Sequence, residues 1–91
     1  MPSYLVETFL ARSAADQRLE LDRRAAEAAE ALTRLGTRVR FGGSVHVPDD
    51  ETCFFTFDAA TVGAAALAAE RAGLRALRVV EAIATPDRSL D

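Results

Sequence analysis

The sequence predicts an α+β domain of order β-α-β-β-α-β, with a four-stranded antiparallel sheet and two helices on one of its faces. Three observations lead there. Short apolar runs rich in β-branched and aromatic residues recur at 3–10, 38–47, 52–57 and 77–83. Ala-rich stretches with helical periodicity separate the first run from the second and the third from the fourth. Each of those stretches ends at a glycine, Gly36 or Gly73, where a helix stop is expected.

The elements follow in order. "SYLVETFL", Ser3 to Leu10, is the first strand, and Ala11-Arg12-Ser13 is a turn. Ser13 is a candidate N-cap, with Asp16 placed near the positive end of the helix dipole. The first helix runs from about Ala14 to Leu35. Leu21, Ala25, Ala28, Leu32 and Leu35 form its apolar stripe. In the second strand, alternation predicts Phe41, Gly43, Val45 and Val47 on one face and Arg40, Gly42, Ser44 and His46 on the other. Gly42-Gly43 inside a strand suggests a bulge or a close approach. Pro48 to Glu51 is an acidic turn, and Thr52 to Phe57 the third strand. Asp58 or Thr61 caps a second helix, Val62 to Ala72, and Leu77 to Ile83 is the fourth strand. The order matches the ferredoxin-like split βαβ pattern. A single domain at 1–84 is followed by a C-terminal tail at 85–91, rich in Pro, Asp and Ser.

Charge and cysteine usage exclude several classes. A net charge of −3 disfavours nucleic acid, since binding there draws on released phosphate counterions. The Arg23-Arg24 doublet is flanked by acids, which disfavours a basic membrane-surface helix. No apolar run reaches the length of a membrane span, and no signal peptide is read at the start. The single Cys cannot form an internal disulfide. A cytoplasmic protein is expected.

With both helices on one side, the other sheet face is left uncovered, and such a face becomes a ligand pocket or an oligomer interface. A mid-strand carboxylate is expected on that open face. This puts Glu7 and Glu81 together there, among Leu5, Phe9, Val79 and Ile83. Two carboxylates in a half-apolar pocket are able to share a proton, hold a cation or act in acid–base chemistry; paired with Arg40 and Arg78, or facing water, they have no such role. His46, the only His, fixes a metal only with other ligands. Cys53 reads as a small packed hydrophobe. No phosphate loop, C-x-x-C or H-E-x-x-H motif is present.

Three stretches carry a family resemblance: Met1 to Glu7; Phe41, Ser44, Asp49-Asp50 and Cys53; and "RAGLRALRVVEAI", Arg71 to Ile83, with Gly73, Arg78 and Glu81. Together they resemble a family of small bacterial ferredoxin-like proteins of largely unknown function that includes a nickel-binding member. The resemblance spans about residues 1–84. It implies a homodimer and a pocket on or beside the sheet, for which Tyr4, Glu7, Phe41, Ser44 and Glu81 are the candidate residues. It also implies a divalent metal such as nickel; from the residues of this chain, Glu7, His46 and Glu81 are the candidate ligands, since carboxylate and imidazole donors suit such ions. The chain departs from the family pattern at Phe41, where Trp is expected, and at Ala68, the nearest match to a second-helix His of many relatives. His46 stands where relatives usually have no His.

The expected function is therefore a small non-enzymatic ligand- or metal-binding homodimer. Two alternatives stand beside it. One is a cofactor-free enzyme of the dimeric α+β-barrel type, monooxygenase- or isomerase-like, with Glu7, Glu81 or His46 as acid or base. The other is a purely structural dimer. Where Glu7, His46, Cys53 and Glu81 point separates them.

Overall fold

The computed structural model describes residues 1–84; the tail read at 85–91 lies outside them. The strands are β1 (Ser3–Phe9), β2 (Val39–Val47), β3 (Thr52–Ala59) and β4 (Ala76–Ala82), and the helices are α1 (Arg18–Arg34) and α2 (Val62–Arg71). All neighbouring strands are antiparallel, in the order β2-β3-β1-β4. This is the ferredoxin-like α+β arrangement that the element order predicts.

The core lies between the sheet and the helices. Val6, Cys53, Phe55 and Phe57 point into it from the two central strands and are fully buried. Ala25, Ala28, Ala29 and Leu32 of α1 and Ala65, Ala68 and Ala69 of α2 cover them. The short alanine side chains let both helices approach the bulky Phe layer closely, so large and small residues interdigitate across the interface.

Both helices end as their glycines predict. At α1, the Thr37 amide donates to the Leu32 carbonyl at 2.8 Å and the Gly36 amide to the Thr33 carbonyl at 3.1 Å. At α2, the Leu74 and Gly73 amides donate in the same way to Ala69 and Glu70. This is the Schellman closure, which needs a left-handed residue, and Gly36 and Gly73 supply it with φ of +101° and +77°. Thr61 is the cap of α2, its hydroxyl accepting from the Ala64 amide at 3.1 Å.

Two boundaries differ from expectation. The first helix begins later than Ala14: Arg12–Gln17 forms a 3-10 segment, and α1 starts at Arg18. Ser13 lies inside that segment and is not the cap; Gln17 occupies that position without a side-chain cap bond. Asp58 does not cap α2 either. It belongs to β3, opposite Arg40.

Two register shifts decide which side chains share a face. Between Phe41 and Ser44, β2 spends two residues, Gly42 and Gly43, against one of β3. Gly43 takes a φ of +103°, which an L side chain rarely adopts. Because side chains alternate with period two, the extra residue swaps faces. Phe41 and then Ser44 and His46 face the helices, whereas Arg40 and then Val45 and Val47 face outward. The alternation expected from the sequence, with Phe41 apart from Ser44 and His46, is corrected here. The second shift falls in β4, where Leu77 is skipped between the Glu7–Arg78 and Thr8–Ala76 pairs.

Candidate functional site

The open sheet face is built from Leu5, Glu7 and Phe9 of β1, Val45 and Val47 of β2, Phe54 of β3 and Arg78 and Val80 of β4. No helix covers it. Phe9 and Val45 are 64% and 60% exposed, and apolar side chains grouped on one exposed face mark an interaction surface. Glu7 lies directly across from Arg78, whose Nε donates to its Oε1 at 3.2 Å. At the other end, Asp58 accepts from Arg40 at 2.8 Å and from the Ser3 hydroxyl at 2.6 Å. The Ser3 hydrogen bond, reinforced by Arg40 and opposed by partial burial, holds the Asp58 carboxyl below the usual aspartate range. The Glu7–Arg78 pair thus lies in the same cross-strand row as Val45 and Phe54, the Asp58–Arg40 pair lies at one end, and Leu5, Phe9, Val47 and Val80 supply apolar surface around them.

Glu81 does not join Glu7. It pairs with Tyr4, and Val79 pairs with Val6, so these four side chains lie on the helix side of the sheet. Val79 packs on the core, and Glu81 is exposed at the β4 edge. The expected pocket of two carboxylates on the open face, with Val79 around them, is corrected: Glu7 and Glu81 are on opposite faces. Tyr4 is a core residue, 7% exposed, rather than a neighbour of Glu7.

His46 is remote from both carboxylates. It stands on β2 on the helix side, whereas Glu7 faces the open side from the central strand β1 and Glu81 belongs to β4, the other edge of the sheet. Its Nε2 lies 2.9 Å from the Leu10 carbonyl. A carbonyl only accepts, so Nε2 carries the proton, which leaves Nδ1 as an acceptor in the neutral ring. Glu7, His46 and Glu81 therefore do not fit a shared metal ion. Among the described residues no group of three or more His, Cys, Asp or Glu side chains is arranged to hold one.

His46 and Cys53 are direct cross-strand partners on the helix side. The thiol is fully buried, and burial raises its pKa. The nearby charge of Arg18 opposes that shift, and Asp22 adds to it. Thr8 donates from its hydroxyl to the Cys53 carbonyl at 2.9 Å, which satisfies its own buried oxygen. The cysteine is thus a packed thiol, as its sequence context suggests. Ser44 Oγ and Asp22 Oδ1 are buried on this side without a hydrogen-bond partner among the described residues.

Phe41 does line a cavity. A groove of about 810 Å³ runs between the C-terminal half of α1 and the start of β2. Phe41 sits in its wall with Ala29 and Val39, and its ring packs on Phe57 at 5.4 Å. Arg34, Arg38 and Arg40 surround it, together with Glu30 and Asp58. Of the five residues expected to form a pocket, Phe41 alone lies in this groove; Tyr4, Glu7, Ser44 and Glu81 do not. Arg34 and Arg38 carry no signal in the sequence, because isolated arginines at a helix end and in a loop look like solvated surface.

No protein-family model matches the chain, and no curated protein matches it. A solved structure does: the SCO4226 protein of Streptomyces coelicolor A3(2) superposes with a TM-score of 0.68 over 92% of this chain and 99% of that one, at 19% identity. At that identity the likeness concerns the fold. Among the described residues, no helix is long and apolar enough to cross a membrane.

Proposed function

We propose that the chain is a small ligand-binding module that works as a homodimer, paired through its open sheet face. The observation that carries this reading is the uncovered apolar face itself, from Val45 through Phe54 and Leu5 to Val80. Its size supports a dimer. Four strands at about 4.8 Å spacing and about 3.3 Å rise per residue give roughly 500 Å² in projection, before side-chain relief is counted. A standard interface buries about 800 Å² per partner. Its charge supports a second copy as the occupant. A twofold interface must be self-complementary, and a face whose charged side chains are neutralised within it, as Glu7–Arg78 and Asp58–Arg40, brings no net charge against its own copy.

A divalent metal such as nickel has no part in this reading, since Glu7, His46 and Glu81 lie too dispersed over the fold to share one. The cytoplasm suits a chain whose one cysteine is kept as a buried thiol. The test is thermal unfolding over a wide range of protein concentration. A dimer raises its midpoint with concentration by mass action. A midpoint independent of concentration, in a sample whose mass is that of one chain, contradicts the proposal.

A further inference from the structure

The groove beside Phe41 has the features of a binding site that the sequence does not announce. Its volume of about 810 Å³ lies within the roughly 300–1,000 Å³ usual for small-molecule pockets. Ala29, Val39 and Phe41 give it an apolar lining. The Thr33 hydroxyl donates to the Val39 carbonyl at 2.9 Å and accepts from the Val39 amide at 3.1 Å. These bonds clamp the end of α1 to the start of β2, so the two walls are held at a set distance.

Charge selects the ligand. The chain as a whole has a net charge of −3, yet the groove gathers three arginines against the two carboxylates of Glu30 and Asp58. Arg40 is engaged by Asp58. Arg34 and Arg38 make no ion pair among the described residues, and both border the apolar lining. Guanidinium groups recognise a carboxylate through paired N–H donors. We infer that the groove binds a small organic acid with an apolar body, its carboxylate on Arg34 and Arg38 and its body against Ala29 and Phe41. This inference rests on reading the chain as a ligand-binding module and names the ligand class.

The experiment uses octanoate and its uncharged counterpart octanol as probes of the full chain, followed by calorimetry and by backbone amide NMR shifts. Octanoate is expected to bind saturably in the micromolar to low millimolar range, with shifts centred on Ala29, Thr33 and Phe41. Octanol is expected to bind about tenfold or more weakly, and Arg38→Gln to weaken octanoate by a similar factor. Arg75→Gln, outside the groove, is expected to bind like the wild type. Thermal midpoints of both variants establish that they fold. No saturable binding of octanoate, equal binding of octanol, or shifts centred on the open sheet face each overturns the inference. The solution mass of the same samples is read separately, so a failed groove and a failed dimer are distinguished.

Discussion

Glu7 and Glu81 lie on opposite faces of one sheet: Glu7 is held across the β1–β4 ladder by Arg78, whereas Glu81 stands opposite Tyr4 on the helix side. Any chemistry that needs both carboxylates at one point within a chain is therefore closed to this fold. Titration with nickel and with zinc checks the consequence. Glu7→Gln, Glu81→Gln and His46→Gln are each expected to leave the isotherm of the wild type unchanged. Loss of a binding event in all three variants, with folding retained, contradicts the dispersed geometry.

The glycine pair of β2 makes a sharper test of the fold. Gly43 has a φ of +103°, and Gly43→Ala is expected to destabilise by about 1–3 kcal/mol through backbone strain. A Cβ at Gly42 meets the Thr56 side chain at 3.5 Å, an ordinary contact. Gly42→Ala is thus expected to be neutral or stabilising by about 0.4–1 kcal/mol, because it restricts the unfolded chain. Urea unfolding of the two variants distinguishes them, and equal effects would falsify the assignment of the bulge.

That bulge also explains what was legible in the sequence and what was not. The order of the elements was legible, because the strands are short and apolar and each helix ends at a glycine whose left-handed backbone closes it. The faces of β2 and β4 were not. A single inserted residue at Gly42-Gly43 sends Ser44 and His46 to the helix side with Phe41, and strict alternation has no means of locating such a shift. In β4 the alternation is regular from Arg78 to Ala82, and what misplaces Glu81 is the expectation that a mid-strand carboxylate faces the open side: at the β4 edge it stays exposed on the helix side. The start of α1 was misplaced because Arg12–Gln17 has helix-forming residues but closes as tighter turns. The groove was hidden for another reason. Arg34 and Arg38 meet Phe41 only after α1 has packed on β2, a tertiary event without a local pattern.

Asp58 carries a pH dependence. Its folded pKa lies below the ordinary value of about 3.9 because Ser3 and Arg40 favour the carboxylate. A depressed pKa contributes stability that is present above the unfolded value and lost as pH falls through the folded one. The stability difference between the wild type and Asp58→Asn is therefore expected to be constant near neutral pH and to shrink steadily below about pH 4. Chemical denaturation at a series of pH values checks it, and a difference that grows on acidification reverses the sign.

The buried thiol has a kinetic signature. Cys53 is fully buried and its pKa is raised, so the reactive thiolate is scarce in the folded chain. A disulfide reagent at pH 8 is expected to label it slowly in buffer and rapidly in urea. The folded rate is expected to follow the population of the open state. Rapid, complete labelling of the folded protein contradicts the packing described for β3.

The central claim is that a second copy covers the open sheet face, and Phe54 lies in the middle of that face on β3. Sedimentation equilibrium of the wild type and of Phe54→Asp addresses it most directly, with far-ultraviolet circular dichroism to show that both are folded. The account predicts twice the chain mass for the wild type and a folded monomer for Phe54→Asp. A wild-type monomer at all concentrations, or a Phe54→Asp dimer as tight as the wild type, contradicts it.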